Sequence, residues 1–185
     1  SFLLLVLTGP VILVFALLIK MESHGGSFFK QERVGLYGQP FKILKLRSMR
    51  ADAEAAGEAI WASENDPRIT RIGRFIRKVR IDELPQAWSV LKGEMSFVGP
   101  RPERPQFVDD LQTKMPFYAE RHIVKPGMTG WAQINGSRGP LHSPEAARER
   151  IRWDVDYIAR ANFWFDLMIM LRTVPALLGD KLNIR

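Results

Sequence analysis

The sequence contains no cysteine, which removes disulfides, thiolate nucleophiles and cysteine-ligated zinc and leaves a reducing compartment unopposed. Histidine is scarce as well. His24, His122 and His142 are scattered without metal-ligand spacing and read as structural or surface residues. No Walker loop, dinucleotide fingerprint or HExxH sequence is present. Long apolar runs are missing with one exception, and a mean hydropathy of −0.12 excludes a polytopic membrane protein. Acidic residues are the minority charge: Asp+Glu 20 against Lys+Arg 27 leaves a formal net charge of +7. That excess points to anionic partners such as nucleic acid, phosphorylated small molecules or an anionic membrane face. What is present argues for order: 185 residues, 46% of them hydrophobic and 10% aromatic, can bury one domain's core.

The exception is the start of the chain. Phe2 to Ile19 carries no charge, and about 18 apolar residues approach the minimum for crossing a hydrocarbon core of about 30 Å. Gly9 and Pro10 fall at the centre of this run. Proline removes an amide donor and clashes with the preceding turn, so a helix here is expected to bend sharply or break. Two half-helices of about eight residues, rising 1.5 Å per residue, cannot each cross the bilayer but can enter one leaflet and return. A kinked single-pass helix is the alternative. A secretory signal fits poorly, because a basic leading segment and a small-residue cleavage site are both missing.

The middle of the chain is basic. Phe28–Val34 and Phe41–Met49 read as strands joined through Gly35, Gly38 and Pro40, a β-hairpin. Ala51–Gly57 reads as a short helix or loop. A helix predicted from Asp66-Pro67 carries Ile69, Ile72, Phe75, Ile76 and Val79 on one face and Arg68, Arg71, Arg74, Arg77 and Lys78 on the other. A solvated helix face is the plain explanation of such a basic stripe. A second helix begins at Ile81-Asp82-Glu83-Leu84-Pro85, with Asp82 suited to the N-cap and Gly93 to the stop. A carboxylate pair at that position is expected to be held anionic by the helix dipole and by Arg77, Lys78 and Arg80. That state suits a nucleophile or a magnesium ligand, while simple capping explains the pair equally well.

Pro100, Pro102 and Pro105 then stiffen a loop and exclude helix there, presenting Arg101 and Arg104 as a phosphate-binding loop would, or as a surface connector or polyproline ligand. Lys125–Trp131 and Asn135–Pro140 are turn-rich, a weak phosphate-cradle pattern. Pro144–Ala161 reads as a helix with Ile151, Val155 and Ile158 on one face. In Asn162–Leu178, Asp166, Arg172 and Pro175 argue against a second span. An amphipathic helix at a membrane interface and a plain core helix are the two readings. Aromatic residues are not interleaved with the arginines, which sets nucleic-acid binding aside.

Taken in order, KLRSM (Lys45–Met49), RIDELPQ (Arg80–Gln86), VLKGEMSFVGPRPE (Val90–Glu103), KPGMTGWAQING (Lys125–Gly136) and the closing WDVDYI and FD stretches resemble the bacterial sugar transferase family, the monotopic polyprenyl-phosphate phosphoglycosyl transferases. The likeness runs over essentially the whole chain. It implies a mainly helical α+β fold with a broken re-entrant membrane helix over residues 1–20. A cytoplasmic-face catalytic domain over 21–185 follows, with a small β-hairpin and interfacial C-terminal helices.

The implied activity is transfer of a sugar-1-phosphate from a nucleoside diphosphate sugar, a UDP-sugar by the same resemblance, to polyprenyl (undecaprenyl) phosphate with Mg²⁺. This is the first membrane step of exopolysaccharide, lipopolysaccharide or related glycan synthesis at the bacterial inner membrane. The family's catalytic Asp-Glu pair falls on Asp82 and Glu83. Asp82 is the implied nucleophile, Glu83 an acid/base or metal helper, and both are implied metal ligands. Arg101, in the family's Pro-Arg-Pro, is implied to bind phosphate. Arg77, Lys45, Arg47, Asp154 and Asp166 are further candidates for substrate binding. Membrane lipid is an implied partner, nucleic acid is not, and the dimers of some larger relatives admit a homodimer. At the helix break relatives usually carry Ser-Pro where this chain has Gly9-Pro10. Ala87 and Ser89 stand where Leu and Asn are common, and adjusted packing is expected there. A scaffold that has lost catalysis would not be expected to keep Asp82, Glu83 and Arg101.

Overall fold

The computed structural model describes residues 1–53, 66–137, 139, 141 and 143–179, with side chains to residue 176. Expectations for residues 54–57, Arg138, Pro140 and His142 lie outside the described residues. The described chain carries seven α-helices and two two-stranded sheets, a mainly helical α+β architecture. It divides into two compact units, one of Ser1–Gln31 and Ile43–Leu91, the other of Glu32–Lys42 and Lys92–Lys181.

In the first unit, α1 (Phe2–Glu22) is one helix that continues through Pro10. The sequence predicts a bend or a break, and the helix does not break. Pro10 offers no donor to the carbonyl of Val6, but the surrounding apolar run keeps helical geometry. Thr8, overlooked in the sequence, donates its hydroxyl to the carbonyl of Leu4 at 2.7 Å. Only Ile12, Ala16 and Ile19 are buried, against Leu46 and Ile76, with Phe15, Ile72, Ile81 and Leu84 packed around them. Phe2, Leu3, Val6, Leu7, Leu13 and Val14 are exposed. α1 is the one helix among the described residues long and apolar enough to cross a membrane, and its exposed apolar surface fits membrane association.

The predicted hairpin forms from β1 (Phe28–Val34) and β2 (Pro40–Leu46), the second strand ending at Leu46 rather than at Met49, and Gly35 N–H donates to the Gln39 carbonyl at 2.8 Å across the turn. Its base belongs to the first unit and its tip to the second. α2 (Arg71–Lys78) starts later than the sequence predicts. Asp66 spends its carboxylate on the Arg68 guanidinium, and Thr70 is the true cap, its hydroxyl accepting from Gly73 N–H at 2.9 Å. Glu22, at the end of α1, accepts from the amides of Arg71 and Ile72 at 2.8 and 3.2 Å and so ties the two helices together. Ile69 leaves the helix for a bridge with Met49. At Gly73 a Cβ would lie 1.9 Å from the Ser48 carbonyl oxygen. Only glycine lets α2 lie this close to the segment that carries Lys45.

The second unit is built on β3 (Ser96–Val98) and β4 (Gly127–Thr129), a parallel pair with Ser96 opposite Gly127 and Val98 opposite Thr129. α4 (Pro105–Lys114) begins on the last proline of the cluster. The cluster excludes helix up to Arg104, but Pro105 occupies the first helical position, where proline is favoured. α5 (Trp131–Ile134), α6 (Pro144–Arg160) and α7 (Phe163–Gly179) complete the unit. Trp131, Tyr157, Phe165 and Ile169 form one core with Val98. The buried face of α6 is Ala147, Arg150, Ile151, Asp154 and Tyr157, with Val155 exposed, not the purely apolar Ile151/Val155/Ile158 stripe of the sequence reading. Two charged residues enter that face because each finds a partner. α7 buries Phe165 and Ile169 yet exposes Phe163, Trp164, Leu171 and Val174, so its outer face is apolar as well.

Candidate functional site

Asp82 and Glu83 sit on a tight turn. The RIDELPQ segment forms a 3-10 helix, Ile81–Gln86, which runs into α3 (Ala87–Leu91). The N-cap is Arg80, in left-handed backbone geometry at φ 60, ψ 18. Asp82 is therefore in the first turn rather than at the cap, and Pro85 lies inside the 3-10 turn. The buried Ala87 and Ser89 pack directly behind it.

Three positively charged groups lie near the pair. Lys45 Nζ donates to Glu83 Oε1 at 2.8 Å, both side chains being half-buried. Arg77, in the last turn of α2, and Arg80 add positive charge beside Asp82. Asp82 itself is 8% exposed, and its Oδ1 is buried without a hydrogen-bond partner. A buried carboxylate oxygen left unpaired is uncommon and marks a place where something else is received.

The electrostatics reverse one expectation. The sequence predicts a pair held anionic by a helix dipole and three cations. Instead, the Asp82 carboxyl is raised to about 6, by burial first and then by the neighbouring Glu83, while Lys45, Arg77 and Arg80 only oppose the rise. A 3-10 turn has little aligned dipole to offer, and desolvation of a buried carboxylate outweighs the neighbouring cations. Asp82 is thus mostly ionised at neutral pH and titrates just below it. Burial also lowers the Arg77 guanidinium from its usual value, with Asp82 as the main opposing influence.

A poorly solvated carboxylate with one free oxygen and cations around it can act as a nucleophile towards phosphorus, as a general base or as a cation ligand. No cluster of three or more His, Cys, Asp or Glu is present among the described residues. A hard divalent cation here would take the free Asp82 oxygen and draw its remaining ligands from substrate phosphates and water, the usual manner of magnesium. The residues fit such an ion.

Arg47 is part of a different arrangement. It is buried and donates to the carbonyls of His24 and Ser23 and to the Ser23 hydroxyl, closing the end of α1. That contact accounts for the residue without any phosphate.

In the second unit the Pro-Arg-Pro loop is held carbonyl by carbonyl. Gly127 N–H donates to Pro100 at 2.9 Å, Arg121 Nη2 to Arg101 at 2.7 Å, Arg33 Nη1 to Pro102 at 2.9 Å and Val34 N–H to Glu103 at 2.9 Å. Glu103 is buried and its carboxylate accepts from Arg150 Nη1 at 2.9 Å. Four successive carbonyls pinned from four directions make a stiff support for the Arg101 side chain.

Asp154, expected among the substrate ligands, is buried against the fully buried Arg121, with Arg121 Nη2 at 2.9 Å. It holds the loop's support. Asp166 accepts from the Tyr157 hydroxyl at 3.0 Å, where it joins α7 to α6. Arg33, Arg121, Arg150 and Glu103 went unremarked as loop supports, because only tertiary pairing reveals them.

The family model described as "Bacterial sugar transferase" matches residues 1–180. The chain belongs to the bacterial sugar transferase family. Among curated members of this family, a "UDP-glucose:undecaprenyl-phosphate glucose-1-phosphate transferase" of Caulobacter vibrioides is 48% identical over 176 residues, 95% of this chain and 66% of that protein. A "UDP-N-acetylgalactosamine-undecaprenyl-phosphate N-acetylgalactosaminephosphotransferase" of Aeromonas hydrophila is 45% identical over 172 residues, 93% of this chain and 40% of that protein. The "Exopolysaccharide production protein PSS" of Rhizobium leguminosarum bv. phaseoli is 42% identical over 176 residues, 92% of this chain and 86% of that protein. The chain thus spans less than two thirds of the first two sugar transferases named here and most of the third.

Proposed function

We propose that this chain transfers a sugar-1-phosphate from a UDP-sugar to undecaprenyl phosphate through a covalent intermediate on Asp82. The observation that carries the reading is the buried Asp82 with a free Oδ1 amid Lys45, Arg77 and Arg80, in a chain of the sugar transferase family. The names of its relatives support the substrate classes: they print UDP-sugars as donors and undecaprenyl phosphate as acceptor.

An Asp82 carboxylate oxygen attacks the sugar-bearing phosphorus of the donor. The bond from that phosphorus to the bridging oxygen breaks, and UMP leaves with the electron pair. An acyl phosphate carrying the sugar remains on Asp82. An oxygen of undecaprenyl phosphate then attacks the same phosphorus, the bond to Asp82 breaks, and undecaprenyl diphosphate sugar departs with the carboxylate restored. Lys45 fixes Glu83 beside the nucleophile, and Arg77 offsets phosphate charge. Arg101, on its pinned loop in the second unit, is a further candidate for binding phosphate. Asp82 and Glu83 would hold Mg²⁺, which when bound supplies charge neutralisation to the phosphates.

The account places α1 in the membrane as a re-entrant element, with both ends on the cytoplasmic face and α6–α7 at the interface. The apolar outer face of α7 and the exposed first half of α1 support that topology. At 21 residues, α1 is also long enough to span if straight, so labelling decides. Cysteine introduced at Ser1 should react only from the cytoplasmic side, and reaction solely from outside would overturn the re-entrant topology.

Activity is tested by mixing the purified chain with Mg²⁺, undecaprenyl phosphate and a panel of UDP-sugars while measuring UMP release. Turnover with at least one sugar and none by Asp82→Asn is expected. Silence across the panel, or full turnover by Asp82→Asn, would contradict the proposal.

A further inference from the structure

Arg80 carries a feature that the role of its neighbours does not explain. α2 ends at Lys78, Val79 caps it, and Arg80 follows in the left-handed region at φ 60. One residue past a helix cap is where chains commonly turn left-handed, and glycine does so without a Cβ clash. The backbone need is plain. Arg80 N–H donates to the Arg77 carbonyl at 3.3 Å, and its own carbonyl accepts from Glu83 N–H at 3.2 Å, swinging the chain from α2 into the turn that bears Asp82. Glycine would meet that need at less strain, so the arginine side chain is not there for the backbone.

Nor does the side chain serve packing through a partner. The Arg80 side chain is half-buried and makes no hydrogen bond or ion pair among the described residues, and the same holds for the Arg77 side chain. The nearest carboxylates do not take it up: Glu83 is engaged by Lys45, and Asp82 keeps a free oxygen. Each arginine nonetheless acts on the other and on Asp82 through its charge. Two half-buried guanidinium groups near one another, with Asp82 nearby but no carboxylate hydrogen-bonded to either, leave N–H donors that an arriving anion would take up. The guanidinium fork is suited to the oxygens of a phosphate.

We propose that Arg80 is a substrate-phosphate-binding residue, held in a strained left-handed backbone beside Asp82 so that its guanidinium and that of Arg77 receive a phosphate together. The proposal rests on the transferase reading for the identity of the phosphate, which belongs either to the nucleotide donor or to the lipid carrier. Strain kept at a functional position is a recognised trade of stability for binding.

The test compares wild type, Arg80→Gly and Arg80→Lys as full chains in lipid nanodiscs, measuring binding of UDP, binding of undecaprenyl phosphate, and the melting temperature. Glycine relieves the strain, so Arg80→Gly should melt about 2–4 °C higher while binding UDP about tenfold or more weakly. Arg80→Lys, which keeps the charge without the fork, should melt with wild type and bind between the two. If only undecaprenyl phosphate is weakened tenfold, the proposal stands with the lipid carrier as the source of the phosphate. Binding of both ligands within twofold of wild type by Arg80→Gly overturns it, as does a lower melting temperature in that variant. A wild-type chain that binds neither ligand also overturns it. Failure of every UDP-sugar to turn over would instead remove the transferase reading, and the binding comparison would still decide the role of Arg80.

Discussion

Replacing Asp82 with asparagine should make the protein more stable while abolishing its chemistry. The carboxyl is raised from 3.8 to about 6 in the folded chain, chiefly by burial. A group whose folded value lies above its unfolded one binds more protons when folded, so stability rises as pH falls from about 7 towards 4. At pH 7 or above both states have largely lost the proton, and the folded state bears the full penalty. The shift of about two pH units, at 1.36 kcal/mol each, comes to about 3 kcal/mol. Asparagine removes the charge at nearly constant shape, and Asp82 Oδ1 has no hydrogen bond to lose. For a chain of this size the gain corresponds to a melting temperature about 6–12 °C higher. The assay is thermal or guanidinium unfolding in nanodiscs with EDTA, wild type and Asp82→Asn side by side from pH 5 to pH 8. Subtracting the two curves cancels groups that titrate alike. The advantage of Asp82→Asn should be full near pH 8 and shrink towards pH 5. A variant no more stable than wild type at pH 8, or an advantage that does not shrink, would refute the reasoning.

Three further outcomes are expected. UMP release should lose activity on the acid side with a midpoint near pH 6, as Asp82 protonates. Lys45→Met, which frees Glu83 and removes a charge that lowers the Asp82 value, should move that limb to higher pH and slow turnover at pH 6 by on the order of tenfold. An unmoved profile would show that Lys45 does not act on the nucleophile. Arg121→Gln combined with Asp154→Asn removes the buried pair without leaving a bare charge. It should weaken UDP-sugar binding about tenfold, and adding Arg101→Ala should bring little further loss, because both changes disable one phosphate contact. Additive losses would separate the loop's support from Arg101.

Local pattern made part of this molecule legible. The Phe28–Val34 run and the Gly35/Gly38 turn marked the hairpin, and the apolar spacing marked α6 and α7 within a residue or two. The motifs pointed to Asp82 and Glu83 as the candidate site. Where the reading missed, a side chain had a tertiary partner that outbid its local role. The helix predicted from Asp66-Pro67 starts later, because Asp66 is taken by Arg68 and Thr70 caps α2. Arg47 and Asp154 looked like ligands, yet one closes α1 and the other holds Arg121. Pro105 looked like a breaker and is a helix start. The sign of the Asp82 shift depended on burial, a quantity no motif carries.

The covalent step on Asp82 is tested most directly by intact-protein mass measurement after mixing the chain with a turned-over UDP-sugar and Mg²⁺, with no lipid acceptor present. The account predicts a gain equal to one sugar phosphate, mapped to the peptide containing Asp82, matched by one equivalent of UMP and discharged when undecaprenyl phosphate is added. It also predicts no adduct on Asp82→Asn. Rapid lipid-linked product formation with no adduct and no acceptor-free UMP would contradict it and point to direct transfer between the two substrates.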